Sequence, residues 1–429
     1  MCYAIPAKLI AIKEHTGTLD YFGEHRQVLL DFDDTYQVGD YVYAQGGIVV
    51  SKISENEALA ILDTWKDIFF TLKQQDAQQV HIDEQNVSPN ILGILQKANH
   101  GKELTREDAV VLMQLQKPTE LAVLYEAANA VRQKIHGNAS CVHGIIEFSN
   151  YCKNSCHYCG IRRERNIPRY RLTPEEIIAI AKNAVDQYGF KALVLQSGED
   201  DWYDEEKLIA IIKTIKKMGV LVFLSIGMRS VDAYRRFYQA GARAILMRFE
   251  TANPEAFGRL RPCTSFTERL NLLKQLKEIG YIIATGFIVG FPDENAQDIV
   301  NNILLTRSFK PDMYSFGPLI PTVDTPLAQQ PRLTKEAILK ITAITRLLDR
   351  DSNILVTTAL ETLDASAKKA ALLAGANSMM INITPLQYRE QYTIYDHRAC
   401  KLELAAAIKE TVDLLFSLGR SPTDLGFPK

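Results

Sequence analysis

The sequence predicts an α/β protein in which a small OB-like β-barrel precedes a (β/α)8 barrel of the TIM type. Two observations predict the large barrel. From Gly144 onward, eight apolar segments of strand length alternate with helical segments, as in a closed parallel sheet. Several of the predicted helices end in glycine, the residue preferred just beyond a helix terminus. The 429-residue length accommodates a barrel of roughly 250 residues with smaller additions.

The strands of this barrel are predicted over residues 144–149, 191–198, 220–227, 242–250, 281–289, 313–319, 353–360 and 378–383. Reactive residues of such barrels lie at the carboxyl ends of the strands. We therefore expect the functional side chains directly after each strand.

The first seventy residues have a different pattern, with short strands and turns followed by an amphipathic helix from Glu57 to Leu72. The Gln- and Asp-rich stretch that follows has little to bury, which is typical of a linker. The predicted organisation is a small β-barrel over 1–73, a linker over 74–89, a helical extension over 90–140 with Thr105 as a helix N-cap, the large barrel over 141–400, and a C-terminal helix and tail over 401–429.

Composition narrows the function classes. A formal net charge of −2 gives no reason to expect a nucleic-acid or membrane-surface partner. No apolar run approaches the roughly 18 residues of a membrane span, and the N-terminus lacks a signal-peptide pattern. These features predict a cytoplasmic protein.

The cysteines point to a metal or cluster site. Seven is an odd number, and Cys152, Cys156 and Cys159 lie within eight residues after the first barrel strand, so a disulfide framework fits poorly. Thiolates are the ligands of iron–sulfur clusters, and three of them would leave the fourth iron open. The alternative is a structural zinc site, although such sites usually have four ligands.

This loop, with Tyr158 before its last cysteine, resembles the motif of the radical S-adenosylmethionine (SAM) superfamily. The resemblance implies one 4Fe–4S cluster on the three cysteines, SAM on the open iron, and reductive cleavage of SAM to a 5′-deoxyadenosyl radical. It places Tyr158 near the adenine, although the ring could equally serve only to pack the loop. Ser197, Gly198 and Glu199, after the second strand, resemble the superfamily motif for the SAM amino group.

The stretch from about residue 90 to 398 resembles the E-type maturase of FeFe-hydrogenase (HydE), for example in Ile146-Glu-Phe-Ser-Asn and Arg259-Leu-Arg-Pro. This resemblance implies SAM contacts at Ser225, Glu250 and Arg269; for two of them the alternatives are a generic strand-end serine and a solvated helix arginine. It implies substrate-side positions at Gln196, Arg248, Met313, Pro318, Thr357, Thr358 and Met380. The implied substrate is a small iron–cysteine complex bearing CO and cyanide, or a thiazolidine-like compound, and the implied partner is a low-potential electron donor such as flavodoxin or ferredoxin.

The sequence also departs from this family. Phe249 stands where a histidine is frequent, and Cys263, expected as a small packed thiol, where aspartate is common. Glu361 is expected at the cavity, where a carboxylate would alter the preferred substrate charge. Some members carry three further C-terminal cysteines, of which only Cys400 is present, so we predict no second cluster.

The N-terminus, Met1-Cys2-Tyr-Ala-Ile-Pro-Ala-Lys8, resembles the HypC/HupF hydrogenase-assembly chaperones. The resemblance implies that Cys2 binds an iron unit carrying cyanide and CO; a purely structural or docking role for the domain is the alternative. Ala7 and Gln45 replace a glycine and a histidine that are usual there. The combined hypothesis is a domain that receives or delivers an iron complex for the barrel to modify, with metalloenzyme-assembly proteins as partners.

Two other functions fit the sequence. One is a radical SAM mutase or sulfur-inserting enzyme with an amino-acid substrate. The other, from a different class, is a non-catalytic carrier or scaffold for an iron cofactor, which would not cleave SAM.

Overall fold

The computed structural model describes residues 5–30, 35–79, 87–399 and 401–424. Cys2 and Cys400 lie outside these described residues, so the predictions made for them stay predictions.

The N-terminal domain is a small closed barrel, as predicted. Its strands are β1 (Ala7–Lys13), β2 (Thr16–Tyr21), β3 (Glu24–Leu29), β4 (Tyr41–Gln45) and β5 (Ile48–Ile53), and they pair in the order β1-β2-β3-β5-β4. Helix α1 (Glu55–Gln78) begins after Ser54, whose side chain accepts a hydrogen bond from the backbone N–H of Glu57. Trp65 and Phe69 of α1 join the barrel core, so the helix covers the barrel.

The boundary expected at residue 73 falls inside α1, which continues five residues farther to Gln78. Asp76 explains the difference, because its carboxylate is buried and accepts two hydrogen bonds from Arg132 at 2.6 and 2.8 Å. A polar stretch looks like a linker from composition alone when its buried partner is remote in the sequence.

The helical extension contains α2 (Pro89–Asn99), α3 (Arg106–Met113) and α4 (Pro118–His136). Thr105 caps α3 as predicted, since its side chain and that of Asp108 exchange hydrogen bonds with each other's backbone N–H groups. Helix α4 packs beside a helix of the large barrel, so the extension is part of its outer layer.

The second domain is an eight-stranded closed barrel, which confirms the predicted fold class. The remaining strands are β6 (Cys141–Ser149), β7 (Ala192–Ser197), β8 (Leu221–Ser225), β9 (Ala242–Leu246), β10 (Ile282–Thr285), β11 (Ile288–Val289), β12 (Met313–Tyr314), β13 (Gly317–Pro318), β14 (Asn353–Val356) and β15 (Ser378–Asn382). The barrel is parallel with the order β10-β12-β14-β15-β6-β7-β8-β9, and β11 and β13 form a short parallel pair above it.

The remaining helices are α5 (Pro174–Tyr188), α6 (Glu205–Lys216), α7 (Val231–Ala240), α8 (Pro254–Leu260), α9 (Phe266–Ile279), α10 (Ala296–Ser308), α11 (Lys335–Leu348), α12 (Thr358–Leu363), α13 (Ala367–Leu373), α14 (Leu386–Arg389) and α15 (Leu404–Ser417). All of the predicted strands except 144–149 extend beyond the strands of the structure, and 242–250 ends already at Leu246. Residues 281–289 and 313–319 each divide into two short strands, and residues 353–360 leave the sheet after Val356 because α12 begins at Thr358.

The β4–β5 turn of the small domain lies at the amino end of the large barrel. The backbone N–H of Gly46 donates to Asp424 Oδ2 at 2.5 Å, and Ile48 packs inside the barrel with Leu221 and Ile282. A Cβ on Gly46 would lie 3.0 Å from the Leu221 side chain, and its φ of 57° also favours glycine. The small domain is therefore the floor of the large barrel.

No helix within the described ranges is long and apolar enough to cross a bilayer.

Glu294, on the turn before α10, gives the stability of the barrel a pH dependence. Burial raises the pKa of this carboxyl from 4.5 to about 7. A group with a raised folded-state pKa binds its proton more tightly in the folded protein, so stability is lost as pH rises from about 4.5 to about 7. We expect Glu294→Gln to have a free energy of unfolding about 1–3 kcal/mol higher than the wild type at pH 8, but not at pH 4.5, as measured by denaturant titration. The same difference at both pH values would contradict this assignment.

Candidate active site

A cavity of about 280 Å³ opens at the carboxyl end of the barrel strands. All residues predicted for the cluster, for SAM and for the substrate side line this one cavity, except Met313. The lining residues among them are Cys152, Cys156, Tyr158, Cys159, Gln196, Ser197, Gly198, Glu199, Ser225, Arg248, Glu250, Arg269, Pro318, Thr357, Thr358 and Met380. They come from the ends of most barrel strands, as the fold requires for a reactive site.

The loop that follows β6 and carries the three cysteines, here called the cluster loop, is held by its own polar groups. Arg169 donates to the carbonyl oxygens of Asn150, Ile161, Arg162 and Arg165. Asn150 Oδ1 accepts a hydrogen bond from the backbone N–H of Tyr170 at 2.8 Å. The protein's own hydrogen bonds therefore define the conformation of the loop.

The three thiols of the cluster loop are free, and burial raises the pKa of each of them, that of Cys159 to about 12. A thiol in such surroundings becomes a thiolate when a cation coordinates it. In the described part of the chain, no three His, Cys, Asp or Glu side chains are arranged to hold a single metal ion. A cluster makes a different demand, because each thiolate binds its own iron. Three thiols along one cavity wall fit that demand.

Gly198 allows the cluster loop to approach β7. A Cβ at this position would overlap the carbonyl oxygen of Tyr151 and lie 2.8 Å from the Cβ of Cys152. Lys153 also donates its backbone N–H to the carbonyl oxygen of Glu199 at 3.0 Å. The sequence motif predicted a small residue here so that a ligand could approach the backbone. In the structure, it is the cluster loop that requires glycine at this position.

A buried arginine, Arg261, lies between two carboxylates of the cavity, those of Glu199 and Glu250. Its guanidinium lies 3.6 Å from Glu199 Oε1 and 3.5 Å from Glu250 Oε1. It also donates to the hydroxyl of Tyr158 at 2.9 Å. Three residues predicted as SAM contacts thus share one cation, to which sequence reasoning gave no role although it lies in the Arg259-Leu-Arg-Pro stretch.

The end of β9 positions a second charged group. Arg248 Nε lies 3.4 Å from Glu250 Oε2, and Arg269 Nε donates to the carbonyl oxygen of Arg248 at 2.5 Å. Glu250 has a φ of 71°, a conformation that costs a non-glycine residue energy and is frequent at functional sites. Arg269 Nη1 is buried and has no hydrogen-bond partner among the described residues. A buried donor of this kind fits a ligand carboxylate.

The substrate side of the cavity is less charged. Ser225 Oγ donates to Gln196 Oε1 at 3.2 Å. Thr357 Oγ1 is buried and has no hydrogen-bond partner in the described ranges. Met380 forms part of the apolar floor with Ile145 and Leu246. The arrangement suits a small molecule with both polar and apolar groups.

Comparison with known proteins agrees with this geometry. The family model of the radical SAM superfamily matches residues 146–305, that of the HupF/HypC family residues 1–65, and that of the biotin and thiamin synthesis associated domain residues 315–413. The chain is 42% identical over 331 residues to the [FeFe] hydrogenase maturase subunit HydE of Thermotoga maritima, which covers 77% of this chain and 94% of that protein. This chain is a radical SAM enzyme of the HydE group. It carries a HypC-type domain at its N-terminus.

Other relatives extend this picture. The radical SAM chain is 30% identical to 3-methylornithine synthase of Methanosarcina acetivorans over 76% of its own length and 93% of that protein. The solved structure of methylornithine synthase (PylB) has a TM-score of 0.68 at 27% identity, covering 77% of this chain and 98% of that one. The maturase HydG of Carboxydothermus hydrogenoformans shares the fold, with a TM-score of 0.66 at 23% identity over 83% of this chain and 84% of that one. The superfamily implies a 4Fe–4S cluster, SAM, a small-molecule substrate and an electron donor.

Three expectations for the radical SAM barrel are wrong. Met313 does not line the cavity but lies in the apolar layer beneath it, because β12 ends at Tyr314 and Ser315 is the residue that reaches the cavity. Glu361 pairs with Lys368 at 2.7 Å and is not a lining residue. Cys263 is exposed rather than packed.

Phe249, which stands where a histidine is frequent in the family, does not line the cavity. Its side chain is fully buried against Phe287 and Phe309. Arg248 and Glu250 line the cavity, and the residue between them faces the surrounding core.

Sequence reasoning also missed one wall of the cavity. Glu147, Asn382, Tyr392, Tyr395 and Arg398 all line it. Glu147 belongs to the Ile146-Glu-Phe-Ser-Asn stretch, where a carboxylate among apolar strand residues was a usable signal. The segment that contributes the tyrosines and Arg398 has no periodic pattern that would identify it.

Proposed function

We propose that Cys152, Cys156 and Cys159 hold the single 4Fe–4S cluster of this enzyme, and that SAM binds beside it. The observation that carries the proposal is the convergence of three thiols, one buried and two half-buried, with Glu199, Glu250 and Arg269 on one cavity. When bound, a reduced cluster and SAM supply a 5′-deoxyadenosyl radical in this cavity. The chain's own residues bind, orient and shield these groups.

Different polar residues of the cavity bind different groups of SAM. Ser197, Gly198 and Glu199 receive the amino group, since a carboxylate complements an ammonium. Arg269 binds the carboxylate through its unpartnered Nη1. Ser225 and Glu250 contact the ribose side, and Tyr158, held by Arg261, packs near the adenine.

We further propose that the substrate is a small iron–cysteine complex bearing CO and cyanide, or a thiazolidine-like compound, in hydrogenase-type cofactor assembly. The 42% identity to the HydE maturase supports this choice. Gln196, Arg248, Thr357, Thr358 and Met380 form the substrate side of the cavity. A low-potential flavodoxin or ferredoxin supplies the electron, and Cys2 binds an iron unit for exchange with assembly proteins.

A second candidate is an amino-acid mutase. The 30% identity to 3-methylornithine synthase over 93% of that protein favours it. Arg248, Thr357 and Thr358 would then bind the carboxylate of the amino acid. If the substrate is instead an iron complex, its binding adds the absorption of a second metal centre to that of the cluster. The two candidates therefore differ in a measurable property of the bound substrate.

Anaerobic reconstitution separates these candidates. We expect the wild type to bind about four irons and to release 5′-deoxyadenosine from SAM after reduction with dithionite. Iron–cysteine and thiazolidine compounds and deuterated amino acids are then compared by deuterium transfer into 5′-deoxyadenosine. Cys156→Ser should lose the cluster and all SAM cleavage, while Cys263→Ser, its exposed counterpart, should retain both. Bound zinc, or a cluster that never binds SAM, would overturn the proposal, and iron uptake unchanged in Cys2→Ala would remove the role of Cys2.

A further inference from the structure

The segment 391–399, here called the strap, follows α14 and forms one wall of the active-site cavity. Tyr392, Ile394, Tyr395 and Arg398 of the strap line the cavity together with the cluster cysteines. The strap has no regular secondary structure of its own. Its position must therefore come from contacts with its neighbours.

The strap holds the cluster loop on both sides of the cysteines. Asn150 Nδ2 donates to the carbonyl oxygen of Gln391 at 2.8 Å, two residues before Cys152. The backbone N–H of Gly160, directly after Cys159, donates to the carbonyl oxygen of Ile394 at 2.8 Å. A displacement of the strap would release both ends of the segment that carries the thiols.

A buried ion pair anchors the strap to the barrel. Arg398 Nη2 lies 2.5 Å from Glu147 Oε1, and Arg398 Nη1 donates to Glu147 Oε2 at 3.1 Å. Glu147 is fully buried at the end of β6 and also accepts a hydrogen bond from Asn382 Nδ2 at 2.7 Å. Arg398 Nη1 donates to the carbonyl oxygen of Tyr392 at 2.6 Å, which ties the two ends of the strap together.

The two hydrogen bonds of this ion pair constrain the position of the strap more than charge attraction alone would. A guanidinium and a carboxylate joined by two parallel hydrogen bonds fix distance and orientation, which a lysine cannot reproduce. Burying two charges is costly unless the arrangement serves a purpose that apolar packing would not. The other charged contact of the strap, between Asp396 and Arg165, is longer at 3.4 Å.

We propose that Arg398 and Glu147 are positioning residues that clamp the strap, and that the clamped strap closes one side of the cavity and holds the cluster loop. Tyr392 and Tyr395 lie beside the guanidinium, at 5.5 and 5.8 Å, so the clamp also places the aromatic wall of the cavity. That this wall protects a radical rests on the proposed function, whereas the link between strap and cluster loop rests only on the hydrogen bonds between them.

Hydrogen exchange tests the link directly. In Arg398→Lys, we expect the amides of the strap and the amide of Gly160 to exchange about tenfold faster, since the lost fork lowers the free energy of local opening. The matched control is Arg243→Lys, a buried arginine at the amino end of β9 that donates to the carbonyl oxygen of Tyr238 and does not line the cavity. Equal exchange in the two variants would overturn the proposal.

Two further readouts distinguish a clamp from general stability. The reconstituted Arg398→Lys enzyme should lose its cluster absorption in air several-fold faster than the control and release more 5′-deoxyadenosine per substrate consumed, because water and oxygen enter the cavity. If Arg398→Lys does not fold, Glu147→Gln serves the same test. A Gly160 amide that is not protected from hydrogen exchange in the wild type would overturn the proposed clamp. A wild type without a cluster refutes the proposed function but leaves the exchange result interpretable.

Discussion

Replacing Arg261 with methionine should weaken SAM binding by about a hundredfold. The guanidinium lies within 3.6 Å of both Glu199 and Glu250, and all three side chains are buried. Without it, Glu199 and Glu250 lose the cation that both of them contact, while Glu250 keeps its contact with Arg248 Nε at 3.4 Å. Removing one partner of a buried ion pair leaves the remaining charge poorly compensated. The carboxylates that we propose to contact SAM would then lose the group that positions them.

Equilibrium binding of SAM to the reconstituted enzyme under nitrogen measures this effect. The matched control is Arg259→Met, an exposed arginine two residues earlier, which should bind SAM as the wild type does. SAM binding by the Arg261 variant that is as tight as that of the wild type would contradict this role.

Sequence reasoning found the parts of the site that are contiguous along the chain. Cys152, Cys156 and Cys159 lie in one loop, and Ser197, Gly198 and Glu199 in one turn, so spacing alone identifies both groups. The barrel was predictable for the same reason, since strand and helix periodicities are local. Even the closed order of the strands follows from their order in the sequence.

The remainder of the site depends on partners that are remote in the sequence. Arg261 acquires its role from Glu199, and Arg398 from Glu147, through contacts that no local pattern records. The side chain of Met313 was misplaced because a two-residue strand leaves its direction undetermined by alternation. Asp76 lies in a stretch that resembles a linker, although it is among the most buried carboxylates of the described chain.

The contact between the two domains limits how they can exchange a small molecule. An apolar layer that includes Val194, Phe223 and Met313 fills the barrel between its floor and the cavity. A molecule passed from the small domain to the cavity would therefore have to enter at the open carboxyl end and not along the barrel axis. The small domain is an integral part of the barrel rather than a tethered carrier.

This integration rests on Asp76. Its carboxylate accepts hydrogen bonds from both terminal nitrogens of Arg132 and lies 3.7 Å from Arg420 Nε. The side chains of all three residues are at most 2% exposed. Gln133 Nε2 also donates to the carbonyl oxygen of Asp76 at 2.7 Å. One carboxylate of α1 thus compensates two arginines of the barrel domain, and its removal leaves both buried charges without their counter-ion.

We expect Asp76→Ala to lower the free energy of unfolding by about 3–5 kcal/mol, the usual consequence of removing one partner of a buried ion pair. The matched control is Asp413→Ala on α15, whose pair with Lys409 is 61% and 76% exposed and should contribute well under 1 kcal/mol. Urea denaturation followed by circular dichroism compares the two variants, and limited proteolysis shows whether the small domain separates first. If both variants unfold at the same urea concentration, the small domain is held by its apolar contacts with the barrel floor, and the buried carboxylate only fixes its orientation.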